Sequence, residues 1–183
     1  MNRNHLSLAL AVLGTLSSAP VLAGEYTGWV YNGFTGLGSI SQGDLSDDSL
    51  GSAPNIGYRW GWLGVELGYN YFGKFTDEAM VGSVPVDIDA NVDGWNAGIN
   101  LNHDLSERWS LQGRVGLFDW KTDGHVDDGV NRLAYSDSGN DWYAGASIDY
   151  RLSKRTSLGL GYVRYSLNDA DINLWGMHSE FRF

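Results

Sequence analysis

The chain has 183 residues, with 22 acidic against 12 basic side chains, 25 glycines, eight tryptophans, ten tyrosines and no cysteine. This acidic balance excludes a nucleic-acid binder, which requires basic patches. The missing cysteines exclude a disulfide scaffold and a cysteine-linked lipid anchor, and the wealth of aromatic residues excludes a disordered secretion product.

The N-terminus reads as a signal peptide. Arg3 supplies the positive charge, residues 6–13 an apolar stretch, and Val21-Leu22-Ala23 a small-residue cleavage site. Ser7, Thr15, Ser17 and Ser18 leave the stretch short of the roughly 18 apolar residues that a membrane-spanning helix needs. Cleavage is expected after Ala23, so that residues 24–183 form the mature chain and a single domain. Arg3 leaves with the signal, and 11 basic and 22 acidic residues remain. No later apolar run is long enough to cross a membrane as a helix.

Eight segments with period-2 alternation follow, each near the roughly 9–11 residues of a tilted membrane strand. The first, 26–36, sets Trp29 and Tyr31 against Gly28, Val30 and Asn32, and the second, 52–59, turns Ile56 and Tyr58 outward. In the third, 63–71, Leu63, Val65, Leu67, Tyr69 and Tyr71 oppose Gly64, Glu66, Gly68 and Asn70. A strand with that second face cannot pack a dry soluble core; it suits a narrow polar lumen. The fourth, 95–102, opposes Trp95, Ala97, Ile99 and Leu101 to Asn96, Gly98, Asn100 and Asn102. The fifth opposes Trp109, Leu111, Val115 and Leu117 to Ser110, Gln112, Arg114 and Gly116, and a bulge near Phe118-Asp119 is expected to turn Trp120 to the surface. The sixth, 143–152, carries Ala144, Ala146, Ile148, Tyr150 and Leu152 against Tyr143, Gly145, Ser147 and Asp149. The seventh, 158–163, sets Leu158, Leu160 and Tyr162 against Gly159 and Gly161. The last has Trp175, Met177, Phe181 and Phe183 on its apolar face and His178, Glu180 and Arg182 on the other.

Connections at 60–61, 104–108 and 153–155 are short; those at 39–51, 74–92 and 121–141 are long and polar, with a shorter one at 167–171. The pattern predicts an all-β fold, an eight-stranded antiparallel transmembrane β-barrel of the Gram-negative outer membrane. It would have short periplasmic turns, longer extracellular loops and a last strand that closes on the first. A lipocalin-like barrel or a β-sandwich would turn the apolar face inward, against the aromatic residues at the strand ends. The aromatics expected at the membrane interfaces are Trp29, Tyr31, Tyr69, Tyr71, Trp95, Trp109, Trp120, Trp175, Phe181 and Phe183.

Tyr26-Thr-Gly28, Gly57-Tyr58, the run from Leu63 to Gly73 with its inward Glu66, Leu111-Gln-Gly-Arg114-Val-Gly116 with Trp120, Asp149-Tyr150, Leu160-Gly-Tyr162 and the final Phe-Arg-Phe183 occur in an informative order. Together they resemble the transmembrane domain of the outer membrane protein A family. The short fourth loop and Ala170-Asp-Ile172 before Trp175 are also similar to the small eight-stranded family of the attachment-invasion locus proteins. The first resemblance implies that Glu66 and Asp149 occupy acidic positions at which an inward glutamate exchanges basic partners and gates a small pore. The positions matching those partners are Asn100 and Gly159, neither of them basic. Full-length members carry a peptidoglycan-binding domain after the barrel; this sequence ends at the barrel, so a cell-wall tether is not implied. The terminal strand matches the family's assembly signal except at His178, where a glycine is usual.

Glu66, Arg114, Asp149 and Glu180 face inward on this phasing and form the expected polar network, with Arg114 paired to one or more carboxylates. The functional expectation is an integral outer-membrane barrel with an envelope-structural or surface-interaction role and a plugged lumen. Two alternatives are a small-solute pore and adhesin-like binding through the extracellular loops. Clustered loop acids (Asp44, Asp47, Asp48; Asp77, Glu78, Asp87, Asp89; Asp123, Asp127, Asp128) read as solvated surface, with divalent-cation bridging as the sharper possibility. An enzyme that modifies lipid A is disfavoured. Strand alternation separates Ser179 from His178 and Glu180, His125 lacks an obvious serine partner, His103 lies at a turn, and His5 leaves with the signal. Expected partners are outer-membrane lipid, lipopolysaccharide and, through the strand ending at Phe183, the barrel-assembly machinery; a monomer without cofactor, metal or catalytic residues is expected.

Overall fold

The computed structural model describes residues 26–42, 45–81, 84–127, 132–168 and 170–183. The eight alternating segments are strands: β1 Thr27–Gln42, β2 Leu45–Trp60, β3 Leu63–Val81, β4 Val84–Asp104, β5 Trp109–Asp127, β6 Arg132–Arg151, β7 Thr156–Leu167 and β8 Ala170–Arg182. Each pairs antiparallel with its sequence neighbours, and β8 closes the barrel on β1, with Tyr31 opposite Phe181 and Leu37 opposite Trp175. Closure gives the membrane-embedded backbone hydrogen-bond partners that hydrocarbon cannot supply. The expected signal peptide, residues 1–23, and the loop acids Asp44 and Asp128 lie outside the described residues.

Outward-facing positions carry the apolar side chains. Trp29, Tyr31, Tyr69, Tyr71, Trp95, Trp109, Trp175, Phe181 and Phe183 are all exposed there, and Trp60, Trp62 and Trp142, not singled out above, join them. A continuous apolar surface of this kind marks a lipid-facing band. On β3 the set from Leu63 to Tyr71 covers roughly 26 Å of strand, or about 20 Å along the membrane normal at a tilt of about 40°.

Trp120 departs from the expectation. It is 3% exposed and packs in the interior cluster, where its indole Nε1 donates to Asp141 Oδ2 at 2.9 Å. β5 keeps unbroken register with β4 and with β6, so no bulge occurs near Phe118-Asp119 and the alternation runs straight through to Trp120. The irregularity lies instead on β3 between Tyr71 and Lys74, where Gly73 takes a φ of 71°, a left-handed conformation that glycine adopts without steric cost.

The strands are also longer than the apolar alternation indicated. Most of 39–51, 74–92 and 121–141 is ladder rather than loop, with pairing up to Gln42 and Leu45, Val81 and Val84, and Asp127 and Arg132. Above the bilayer neither face of a strand meets hydrocarbon, so the polarity contrast that reveals a membrane strand fades while the hydrogen-bonded ladder continues. Two seams open there. The β2–β3 pairing ends at Ser52 and Tyr71, and the β6–β7 pairing ends at Tyr143 and Tyr165. β3 to β6 therefore rise as a four-stranded sheet, with residues 132–142 of β6 forming an edge beyond the last β7 pair.

The opposite end is tight. Ser106 Oγ accepts from the backbone N–H of Arg108 and Trp109, and Ser153 Oγ accepts from those of Arg155 and Thr156. The two turns share the sequence Leu-Ser-x-Arg, and the serine hydroxyls stand in for backbone acceptors.

Candidate functional site

The inward faces converge on a lumen that changes character along its length. On the periplasmic half, Glu66 Oε2 accepts from Arg114 Nη2 at 3.0 Å and Asn100 Nδ2 at 3.0 Å, while Tyr143 donates its hydroxyl to Oε1 at 2.8 Å. Arg114 also donates to Asn32 Oδ1 at 2.5 Å, and its guanidinium carbon lies 4.9 Å from the centre of the Phe34 ring. Asn96 donates to the Tyr143 hydroxyl and to Asn55 Oδ1. A second carboxylate, Glu180, receives both terminal nitrogens of Arg59 at 2.9 and 2.5 Å, Arg182 Nε at 2.8 Å and Gln112 Nε2 at 3.3 Å. This two-pronged guanidinium–carboxylate geometry is the strongest ion-pair arrangement that side chains offer.

Asp149 forms a third cluster. Its Oδ1 meets His178 Nδ1 at 2.6 Å, and Ser147 Oγ donates to Oδ2 at 2.9 Å while standing 3.3 Å from the same imidazole nitrogen. These residue types match a serine–histidine–acid set, but the geometry does not. Catalysis needs the serine and the acid on opposite imidazole nitrogens, whereas both meet Nδ1 here and the ring packs on Phe34 at 4.7 Å between centroids.

On the outer half the lumen is mainly apolar, with buried Asn70 the polar exception. Phe34, Phe72, Phe118, Tyr165, Ile172 and Leu174 are buried together, with Phe72, Phe118 and Tyr165 packed edge to face at 4.8 to 5.8 Å. Inward glycines make room for these rings. A methyl group added at Gly116 would lie 2.6 Å from the Tyr143 ring, and one at Gly161 would lie 2.5 Å from that of Phe34. The polar lumen expected from Gly, Asn and Glu on the third strand thus holds for half of its length. The other half is an aromatic-rich core, because Phe34, Phe118 and Leu174 lie outward of Asn32, Arg114 and His178 on the same inward faces.

All four predicted network residues, Glu66, Arg114, Asp149 and Glu180, are buried in the barrel interior. The structure divides them into three clusters, with Arg114 serving Glu66. The sequence reading did not assign Arg59 to the network, although its inward parity beside Tyr58 was readable. Asn32, Asn96 and Tyr143 were placed on inward faces but not in the network, because polarity alone does not say which inward residues meet. Outside the bilayer, Lys121 Nζ lies 2.5 Å from Asp123 Oδ2 and holds that carboxyl below its ordinary range. Among the described residues, no group of three His, Asp or Glu side chains is placed to hold a metal ion.

Solved structures with this fold include Ail, the attachment invasion locus protein of Yersinia pestis, with 15% identity and a TM-score of 0.61 over 86% of this chain and 100% of that one. Neisserial surface protein A is similar, with 13% identity and a TM-score of 0.59 over 85% and 97%. So is the N-terminal β-barrel domain of Pseudomonas aeruginosa OprF, with 10% identity and a TM-score of 0.52 over 86% and 100%. No curated protein sequence matches the chain. The family described as outer membrane protein beta-barrel domain matches residues 8–183. With a closed eight-stranded barrel, a lipid-facing apolar band and a match over nearly its whole length, the chain belongs to this family of outer-membrane β-barrel proteins.

Proposed function

We propose that this protein is an envelope-structural barrel with a permanently closed lumen, and that its raised β3–β6 sheet serves as an interaction surface. The observation that carries the first part is the stacking of two unlike seals: the Glu66–Arg114 and Glu180–Arg59 pairs beneath the Phe34, Phe72, Phe118 and Tyr165 cluster. A permeating ion would have to break a buried pair, at about 3–5 kcal/mol, and then wet an aromatic layer. Asn100, which matches a basic partner in the resembled gate, donates a hydrogen bond to Glu66 and brings no competing charge. In planar bilayers neither the wild type nor Glu66→Ala is expected to conduct; stepwise conductance from the wild type would replace the plug with the small-solute pore.

The second part rests on the open edge of β6, a row of backbone donors and acceptors beyond its last pair with β7. Ail of Yersinia pestis has been crystallised with the heparin analogue sucrose octasulfate. We do not extend polyanion binding to this chain, because its outer hairpins carry Asp89, Asp93, Asp119, Asp123 and Asp137 against few cations. The Ser147–His178–Asp149 geometry supports a non-enzymatic role. The reading further includes removal of residues 1–23, assembly through the strand ending at Phe183, and a monomer surrounded by outer-membrane lipid and lipopolysaccharide.

A further inference from the structure

We propose that the open edge of β6 takes up an extended, basic peptide segment as an added strand. This rests on the reading of the raised sheet as an interaction surface and names its partner. Of the two seams above the bilayer, the one beside β6 stands open. At the foot of the β2–β3 seam the chains stay packed: a methyl group added at Gly73 would lie 2.9 Å from the Leu50 carbonyl oxygen. On β6, by contrast, residues 132–138 are exposed on both faces of the strand, while β7 pairs onward with β8 as far as Leu167 and Ala170. The Asn168 N–H donates to Asp141 Oδ2 at 3.2 Å and ties down the base of this seam. The free rungs are therefore 132–140, a run of roughly 30 Å.

Proteins block a free edge with proline, lysine, a bulge or an inward charge. Between 132 and 140 there is no proline, no lysine and no shift of register against β5. Only an acid stands guard. Leu133, Tyr135 and Asp137 share the lumen-side face by alternation, and all three are exposed. The Asp137 carboxylate accepts from the neighbouring Ser138 N–H at 2.8 Å and, among the described residues, makes no ion pair. A strand laid along this edge gains backbone hydrogen bonds from every second residue, and its side chains meet two apolar rungs and then a carboxylate. Its complement is apolar at two alternate positions and cationic at the third.

The surroundings have the matching sign. On β5, Asp119 lies opposite Asn140 and Asp123 opposite Ser136, and the lysine between them, Lys121, is already held by Asp123. Arg132 is the one basic residue among the free rungs. The acid also discriminates between partners. Two copies of this chain joined edge to edge would bring their Asp137 carboxylates and acidic β5 neighbours together, whereas a basic strand meets attraction along the same line.

The test uses the refolded barrel in maltoside, an uncharged detergent, with synthetic strands made in both chain orders. They alternate apolar residues with threonine and carry lysine, glutamine or glutamate at the position set against Asp137. Fluorescence anisotropy reads affinity, and amide exchange reads the edge. The lysine strand should bind about threefold more tightly than the glutamine strand, the worth of one cross-strand charge pair, and the glutamate strand should bind least. The lysine strand should also slow exchange of the alternate β6 amides between 132 and 140. Asp137→Asn keeps the acceptor for the Ser138 N–H and should erase the preference for lysine. N-methylation of every second peptide nitrogen should abolish binding in one phase and spare it in the other, since only one set of N–H groups faces β6. Equal binding of all three strands, with the edge protected, overturns the basic partner and leaves the interaction surface standing. Binding without edge protection, binding indifferent to the N-methylation phase, or no binding to an unprotected edge overturns the proposal. Alternate amides already protected without peptide overturn the underlying reading too; loss of that protection on dilution identifies a second copy as the occupant.

Discussion

Glu66 shows how much a single inward residue commits the interior. Its carboxylate is contacted by Arg114, Asn100 and Tyr143, and Arg114 in turn bridges to Asn32 and the Phe34 ring. Glu66→Gln strands the guanidinium, and it should lower barrel stability by about 3–5 kcal/mol, read as an earlier urea midpoint of the protein refolded in vesicles. Glu66→Gln with Arg114→Gln should recover most of that loss, because no uncompensated ion remains; a double variant as weak as the single one would refute the pairing. Two tryptophans separate burial from lipid exposure. Trp120→Ala removes a ring that is 3% exposed and should cost about 3–5 kcal/mol. Trp175→Ala removes one that is 62% exposed to the membrane and should cost less in the same assay. The inward parity of Glu66, Arg114, Asp149 and Glu180 was legible in the sequence because strand side chains alternate. The partner of Glu180 was not, since Arg59 is 121 residues away and only barrel closure brings β2 near β8.

At the scale of elements, the membrane portion of each strand was legible and the extension above it was not. Leu63 to Tyr71 announce themselves because one face meets hydrocarbon and the other Gly, Glu and Asn. Lys121 to Asp127 are equally part of a ladder, yet their polar composition resembles a loop. Trp120 was misplaced for a related reason: an aromatic near a strand end suggests an interface, and only the unbroken register with β4 and β6 shows that it turns inward. The raised edge of β6 has a direct signature in amide exchange. Between residues 132 and 142, amides directed at β5 should be protected and the alternate ones, directed away from it, should exchange quickly. Uniform protection along this stretch would mean that another strand covers the edge.

The whole molecule is a closed sheet that separates two surfaces, and its stability depends on closure as much as on the contents of the lumen. Because each strand is sealed by two neighbours, the folded barrel should resist sodium dodecyl sulfate until boiled, and heated and unheated samples should differ in gel mobility; identical mobilities would contradict a closed membrane barrel. The outer end carries acid and the periplasmic end carries arginine, so the two aqueous faces attract different partners. The sequence by itself determined the compartment, the strand count and which faces meet lipid, because a bilayer imposes a local, period-2 rule that each strand must satisfy alone. The tertiary structure decided which buried charges meet, where the polar lumen gives way to an aromatic core, and that the outer end of β6 is left as an open edge. Those outcomes depend on strand register and closure, which bring together residues that no local pattern links.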